Sequence, residues 1–139
     1  MMNIKQLDEQ VSVSDQFSCE AMSELAASGV QVIVCNRPEG ETEDQPSYAE
    51  MEKAAADAGL EFVAIPFARG RMTEAHCRQF AELLDGGRRI HAFCRTGNRS
   101  CNVWAGARLL AGADGKKLLE SAGGAGFDIS GVLVSMKSQ

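Results

Sequence analysis

The sequence predicts an α/β domain over residues 1–139, with a central, mainly parallel sheet of four to five strands and helices on both faces. Three observations predict it. Short β-branched runs alternate with stretches of helical periodicity. Glycines end the helical stretches. A cysteine and several arginines recur just past the predicted strand ends. Strands separated by helices need right-handed crossovers, which leave the strands parallel and the sheet covered.

Val11-Ser12-Val13-Ser14 alternates apolar and small polar residues, the period of a short strand. Ser18 is placed to cap a helix whose Met22, Leu25 and Ala26 share one face, with Gly29 as its stop. Val30 to Cys35 is β-branched and mostly apolar, as an interior strand must be, and Asn36-Arg37-Pro38 ends it. The stretch from Glu39 to Pro46 is acidic and aperiodic, and reads as a solvated loop. Tyr48, Met51 and Ala55 mark a helix that Gly59 ends, and Glu61 to Pro66 is the next strand. Phe67 to Met72 is a loop carrying Arg69 and Arg71. Thr73 then caps a helix with Cys77, Phe80, Leu83 and Leu84 inward, stopped by Gly86-Gly87. Ile90 to Phe93 is the last predicted strand. Beyond it, Val103, Trp104, Ala107, Leu110 and Ala111 form one buried helical stripe. Two short helices follow, one with Leu118 and Leu119, the other with Ile129, Val132, Leu133 and Met136.

At 139 residues, with 45% hydrophobic and 24% charged residues, the chain can bury one core and is not of disordered composition. Its net charge of -5, from 19 acidic against 14 basic residues, lacks the clustered basic excess of a nucleic-acid binder. The arginines are the exception. Arg37, Arg69, Arg71, Arg95 and Arg99 fall near predicted strand ends, so one cationic pocket is expected in an acidic protein. The 5 cysteines show no paired spacing, Met1 to Asp8 lacks a signal-peptide core, and no apolar run approaches the ~20 residues of a membrane span. A cytoplasmic protein with reduced thiols and no membrane partner is expected. With only 2 histidines and no ligand cluster, neither a metal nor another cofactor is expected. His91, on a covered strand, reads as a hydrogen-bonded core histidine.

The segment Cys94-Arg95-Thr96-Gly97-Asn98-Arg99-Ser100 joins the last strand to a helix. Backbone N–H groups at a helix N-terminus stabilise a thiolate or an anion attached to it, and a guanidinium clamps oxyanions. Gly97 lets the backbone turn where a Cβ would obstruct it. Cys94 and Arg99 are therefore the candidate catalytic residues. Arg95, Thr96, Gly97, Asn98 and Ser100, with Arg37, Arg69 and Arg71, are the candidate substrate-binding residues. Arg37 has a second reading as an ion-pair anchor for the acidic loop Glu39–Asp44. Cys35 ends a neighbouring strand and is a candidate resolving thiol for an oxidised or persulfidated Cys94, against its plainer reading as a packing residue.

The segment Cys94 to Ser100 resembles the active loop of rhodanese sulfurtransferases, Cys-Arg-x-Gly-x-Arg followed by a small residue. The rest of the chain is similar to the bacterial beta-lactamase hydrolase-like, phosphatase-like domain family. That resemblance is carried by Val11-Ser12-Val13-Ser14, Asn36-Arg37-Pro38-Glu39-Gly40-Glu41, Gln45-Pro46-Ser47, the loop itself and Ala125-Gly126-Phe127-Asp128. It implies a cysteine phosphatase-like fold of the dual-specificity kind, and a link to persulfide dioxygenases and sulfide metabolism.

Two features then favour sulfur transfer over phosphate hydrolysis. Arg99 follows Cys94 with one residue fewer between them than in the cysteine phosphatase pattern, which implies a ring suited to a single sulfane sulfur. No aspartate occurs between Asp57 and Asp85, where phosphatases of this fold keep their general acid, and losing such an acid costs ~10²–10⁴-fold. The leading expectation is a rhodanese-type sulfurtransferase carrying sulfur as a persulfide on Cys94. Its partners would be a small anionic donor such as thiosulfate or a persulfide, a thiol acceptor and a persulfide dioxygenase. The alternatives are a tyrosine or dual-specificity-like phosphatase working through a phosphocysteine, and an inactive anion-binding module.

Overall fold

In a computed structural model, residues 3–137 are described. The first two residues of the stretch Met1–Asp8 and the side chain of Met136 lie outside that description. Five strands form one sheet: β1 (Lys5–Gln6), β2 (Val11–Ser14), β3 (Val32–Cys35), β4 (Glu61–Ala64) and β5 (Ile90–Phe93). Their order is β1-β2-β5-β3-β4. β1 pairs antiparallel with β2, and every other pairing is parallel. The predicted α/β class and mainly parallel sheet are therefore observed. β1 was not expected: two residues on an outer edge leave no periodic signal.

β5 lies between β2 and β3, with Phe93 in register with Ser14 on one side and Cys35 on the other. The last residue of β5 thus delivers the chain to the middle of the sheet's carboxyl edge, the edge where parallel sheets bind ligands.

Alternation along β3 divides the core. Ile33 and Cys35 join Phe93, Phe17, Met22, Leu25, Met51 and Ala55 beneath α1 (Met22–Ala27) and α2 (Tyr48–Asp57). Val32 and Val34 face the other way, with Phe80, Cys101, Trp104 and Ile129. They lie beneath α3 (Glu74–Asp85), α4 (Asn98–Leu110), α5 (Gly115–Gly124) and α6 (Ser130–Lys137). Burying a side chain such as Phe80 or Ile33 contributes roughly 1.5–3 kcal/mol, so these two layers hold the sheet flat between helices.

Local signals set the helix starts. Ser47 and Thr73 cap α2 and α3 with reciprocal bonds to Glu50 and His76. Ser18 makes no side-chain cap; a 3-10 turn (Cys19–Ala21) leads into α1 instead. The buried stripe of α4 stops at Ala107, because Leu110 has run past the core and is 38% exposed. Trp104 is buried, and its indole N–H donates to Asp8 Oδ2 at 2.8 Å, pinning α4 to the turn before β2.

Helices α3 and α4 meet at Gly106, where a Cβ would lie 2.3 Å from Cys77 Sγ. Gly106→Ala should destabilise the protein by about 1–3 kcal/mol through overpacking, read as a lower urea midpoint. Cys77→Ala in the same chain should recover part of that loss. A midpoint unmoved by Gly106→Ala would show that these helices are not in tight contact.

Candidate active site

The thiol loop is held from both neighbouring strands. Cys94 N–H donates to Ser14 O at 3.4 Å, and Gln16 N–H to Arg95 O at 3.4 Å, so the exit of β2 guides the loop on one side. On the other, Asn36 N–H donates to Phe93 O at 2.9 Å, its side-chain amide to Ile65 O at 2.9 Å, and its Oδ1 accepts from Ser100 Oγ at 2.8 Å. One buried asparagine thereby fixes β5, the β4 exit and the first turn of α4 together. Ser100 is fully buried and spends its hydroxyl on this bond, so its place is structural rather than at a substrate.

Gly97 is required twice over. Its φ is +96°, the left-handed region, and an added Cβ would meet the Phe127 ring at 3.1 Å and the Ser14 backbone at 3.4 Å. From this position its N–H donates to Cys94 Sγ at 3.0 Å. The sulfur is buried at the floor of the loop. Phe127, ahead of α6, braces the loop from outside, a role the sequence had not signalled.

Arg99 reaches the same floor. Its Nη1 and Nη2 donate to Glu41 Oε2 and Oε1, each at 2.8 Å, and Nη1 also donates to Phe67 O at 3.2 Å. Glu41 above all, with the Cys94 sulfur adding to it against the effect of burial, raises the guanidinium above its ordinary range. Arg37 is 4% exposed and donates to Glu41 at 3.1 Å, Gln16 at 2.9 Å and Thr42 at 3.0 Å. Of its two readings, the anchor for the acidic loop describes where it lies. The sequence reading missed that Glu41, within the loop expected to pair with Arg37, also takes the Arg99 fork. Hydrogen bonds from Arg99 foremost, and from Arg37, hold its carboxyl below the usual range despite partial burial.

Arg69, Arg95, Thr96 and Asn98 line the opening with Glu41 and Arg99, around a cavity of about 470 Å³. Arg71 is exposed beside Arg69 but does not line it. Cys35 is buried, its thiol donates to Arg37 O at 3.3 Å, and burial pushes it up to about 11. Cys101, on α4, is pushed up to about 12 for the same reason. Among the described residues no His, Cys, Asp or Glu cluster could hold a metal ion, and no helix is long and apolar enough to cross a membrane.

Beneath the loop, His91 is fully buried. Its Nδ1 lies 2.8 Å from Ser12 Oγ and its Nε2 2.8 Å from Ser14 Oγ. Ser14 Oγ donates to Asp15 O at 2.9 Å, so it accepts from Nε2–H, and Nδ1 accepts from Ser12. A neutral imidazole thus ties β5 to β2 just before the thiol.

A thiol at the end of the central strand of this sheet, with an amide and an arginine turned onto its loop, defines a cysteine phosphatase-like fold. Residues 3–111 match the family described as "Beta-lactamase hydrolase-like protein, phosphatase-like domain", and the chain belongs to that family. A Beta-lactamase hydrolase-like protein of Xylella fastidiosa is 28% identical over 99% of this chain, which spans 32% of that relative's length. A crystallised phosphatase candidate of Neisseria meningitidis Z2491 superposes with a TM-score of 0.80 at 28% identity, over 92% of both chains. Tk-PTP in its active form shares the fold, with a TM-score of 0.75 at 18% identity over 98% of this chain and 97% of its own.

These findings overturn the sulfurtransferase expectation and, with it, the persulfide on Cys94. Neither sequence feature behind it decides between the two chemistries. The loop is one residue shorter, but it opens on a cavity of about 470 Å³, far larger than one sulfane sulfur requires. No aspartate follows β4, and its absence narrows the range of leaving groups rather than the class of reaction.

Burial lowers the His91 imidazole from 6.5 to about 4. Its folded value lies below its unfolded one, so the unfolded chain binds the extra proton. Stability should therefore be intact above about pH 6.5 and fall as pH drops toward 4, by up to about 3 kcal/mol. In urea titrations across that range, His91→Gln should flatten the slope. An imidazole NMR signal of His91 titrating at 6.5 would contradict the relay.

Proposed function

We propose that the chain is a cysteine-dependent phosphatase that hydrolyses phosphate monoesters through a phosphocysteine on Cys94. The observation that carries this reading is the Cys94 sulfur receiving the Gly97 N–H at 3.0 Å on the floor of a loop that also carries Arg99. Membership of a phosphatase-like family supports it.

In the first step the Cys94 sulfur attacks phosphorus, an S–P bond forms, the P–O bond breaks, and the leaving oxygen departs with the electron pair. The amides of the loop and the Arg99 guanidinium face the phosphoryl oxygens, where charge is redistributed in the transition state. Water then attacks phosphorus, breaks the S–P bond, releases inorganic phosphate and restores the thiolate. Glu41 keeps the Arg99 fork oriented, and Asn36 with Ser100 keeps the loop in register with β3. Arg95, Thr96 and Asn98 border the entrance for the ester.

Proton donation is the weak point of the site. The segment after β4 supplies no aspartate, and Glu41 is held ionised between two arginines. The leaving group must therefore depart largely unprotonated, which favours aryl over alkyl phosphates.

Wild-type protein should hydrolyse p-nitrophenyl phosphate and lose that activity in Cys94→Ser, followed by nitrophenolate release. Arg99→Lys should cost on the order of 10²-fold in kcat, since a point charge replaces a fork. Across aryl phosphates, log kcat/KM should fall steeply as the leaving-group pKa rises. A flat series would mean that an efficient acid is present. Phosphate binding without any turnover would make the domain an anion-binding module instead.

A further inference from the structure

The arginines of the protein fall into two groups. Arg37, Arg78, Arg88, Arg99 and Arg108 each pair with a carboxylate, and Arg89 donates to Ser28 O. Arg69, Arg71 and Arg95 make no ion pair among the described residues, and all three are exposed. Two of these three line the cavity bordered by Arg95, Thr96, Asn98 and Arg99 of the thiol loop. The carboxylate in that cavity, Glu41, is already neutralised by Arg37 and Arg99. A protein of net charge -5 thus keeps two arginines without an ion-pair partner at the mouth of one cleft, with Asp44 within electrostatic reach of Arg95.

Arg69 is presented there by design of the backbone. Arg71 N–H donates to Ala68 O at 2.9 Å, and Gly70 has φ +76°. This is the hydrogen bond and glycine placement of a type II turn, with Arg69 at its leading corner.

A second cavity of about 330 Å³ adjoins the first, sharing Arg69, Asn98 and Arg99 with it and adding the apolar side chains of Phe67, Met72 and Val132. Both cavities are of small-molecule size, and Arg69 stands where they meet. Arg69 thus lines the same cavity as the loop residues Arg95 to Arg99, beside any ester held there.

We propose that Arg69, flanked by Arg95, forms a second anion subsite. The preferred substrate is then a small phosphate monoester whose leaving group carries another anionic group, a carboxylate or a second phosphate. This deepens the phosphatase reading and rests on it for the word substrate; the subsite itself rests on the two unpaired guanidiniums and the adjoining cavities.

The experiment separates the two. Calorimetry on Cys94→Ser protein would compare phenyl phosphate, 4-carboxyphenyl phosphate and 1,4-phenylene bisphosphate, which share one ring and differ in the second group. At least one of the doubly anionic ligands should bind about tenfold more tightly than phenyl phosphate at low salt, and the arm that does so identifies the anion. That advantage should shrink with added salt, and Arg69→Ala in the same background should bring the ratio near one. Equal affinity for all three ligands, or an advantage untouched by Arg69→Ala, would overturn the subsite. Turnover is measured separately on wild-type protein. A binding preference without hydrolysis would uphold the subsite and sink the phosphatase reading, whereas hydrolysis with equal affinities would do the reverse.

Discussion

Glu41 sits between two guanidiniums, and the shape of the site follows from that one shared carboxylate. Arg37 is buried where β3 ends and could not remain there charged without a partner, since an unpaired buried charge is strongly destabilising. Glu41 supplies the partner, Gln16 and Thr42 each take one further donor, and the acidic segment after β3 is drawn down against the sheet edge. Only in that position do both Glu41 oxygens meet the Arg99 fork. An arginine on a surface loop would sample many rotamers; here the plane of its guanidinium is fixed before any ligand arrives, which lowers the entropy cost of binding one. The acidic loop, which reads as plain solvated surface, is thus the scaffold of the cationic one.

The polar groups under the loop follow the same logic. His91, Ser12 and Ser14 lie within an apolar interior, yet the bonds run in one direction from Ser12 through the ring to Ser14 and on to Asp15 O. Asn36 likewise spends both ends of its amide. Satisfied networks of this kind cost little and permit one arrangement only, because a shifted register would leave several buried groups unpaired at once. The thiol's position is therefore set by β2 and β3 as much as by its own strand.

Much of this was legible in the sequence. Four of the strands and the alternating helices announce themselves by period, and the cysteine and arginines by their place at strand ends. His91 could be read as a bonded core residue because a covered strand leaves it no solvent. What escaped has a common cause. Glu41, Gln16 and Phe127 lie in segments without periodicity, and their partners are far away in the chain, 58 residues in the case of Glu41 and Arg99. Such pairings are properties of the closed fold. The two-residue β1 is visible only through its partner for the same reason. The spacing from Cys94 to Arg99 along the chain measures the rim of a pocket and not the volume beyond it.

The shorter loop also alters how an anion is held. With one residue fewer after Gly97, Arg99 is already within the first turn of α4, beginning at Asn98, and Ser100 is turned inward to Asn36. The guanidinium lies against Phe67 O and Glu41 at one side of the thiol loop. The Gly97 amide is aimed at the sulfur, and the Arg99 fork is oriented by Glu41. A ring of amides recognises the shape of a tetrahedral anion, while a fork recognises charge in a plane. The front of the site is open toward Arg69 and Asn98, so on the phosphatase reading much of the selection falls to whatever the anion is attached to.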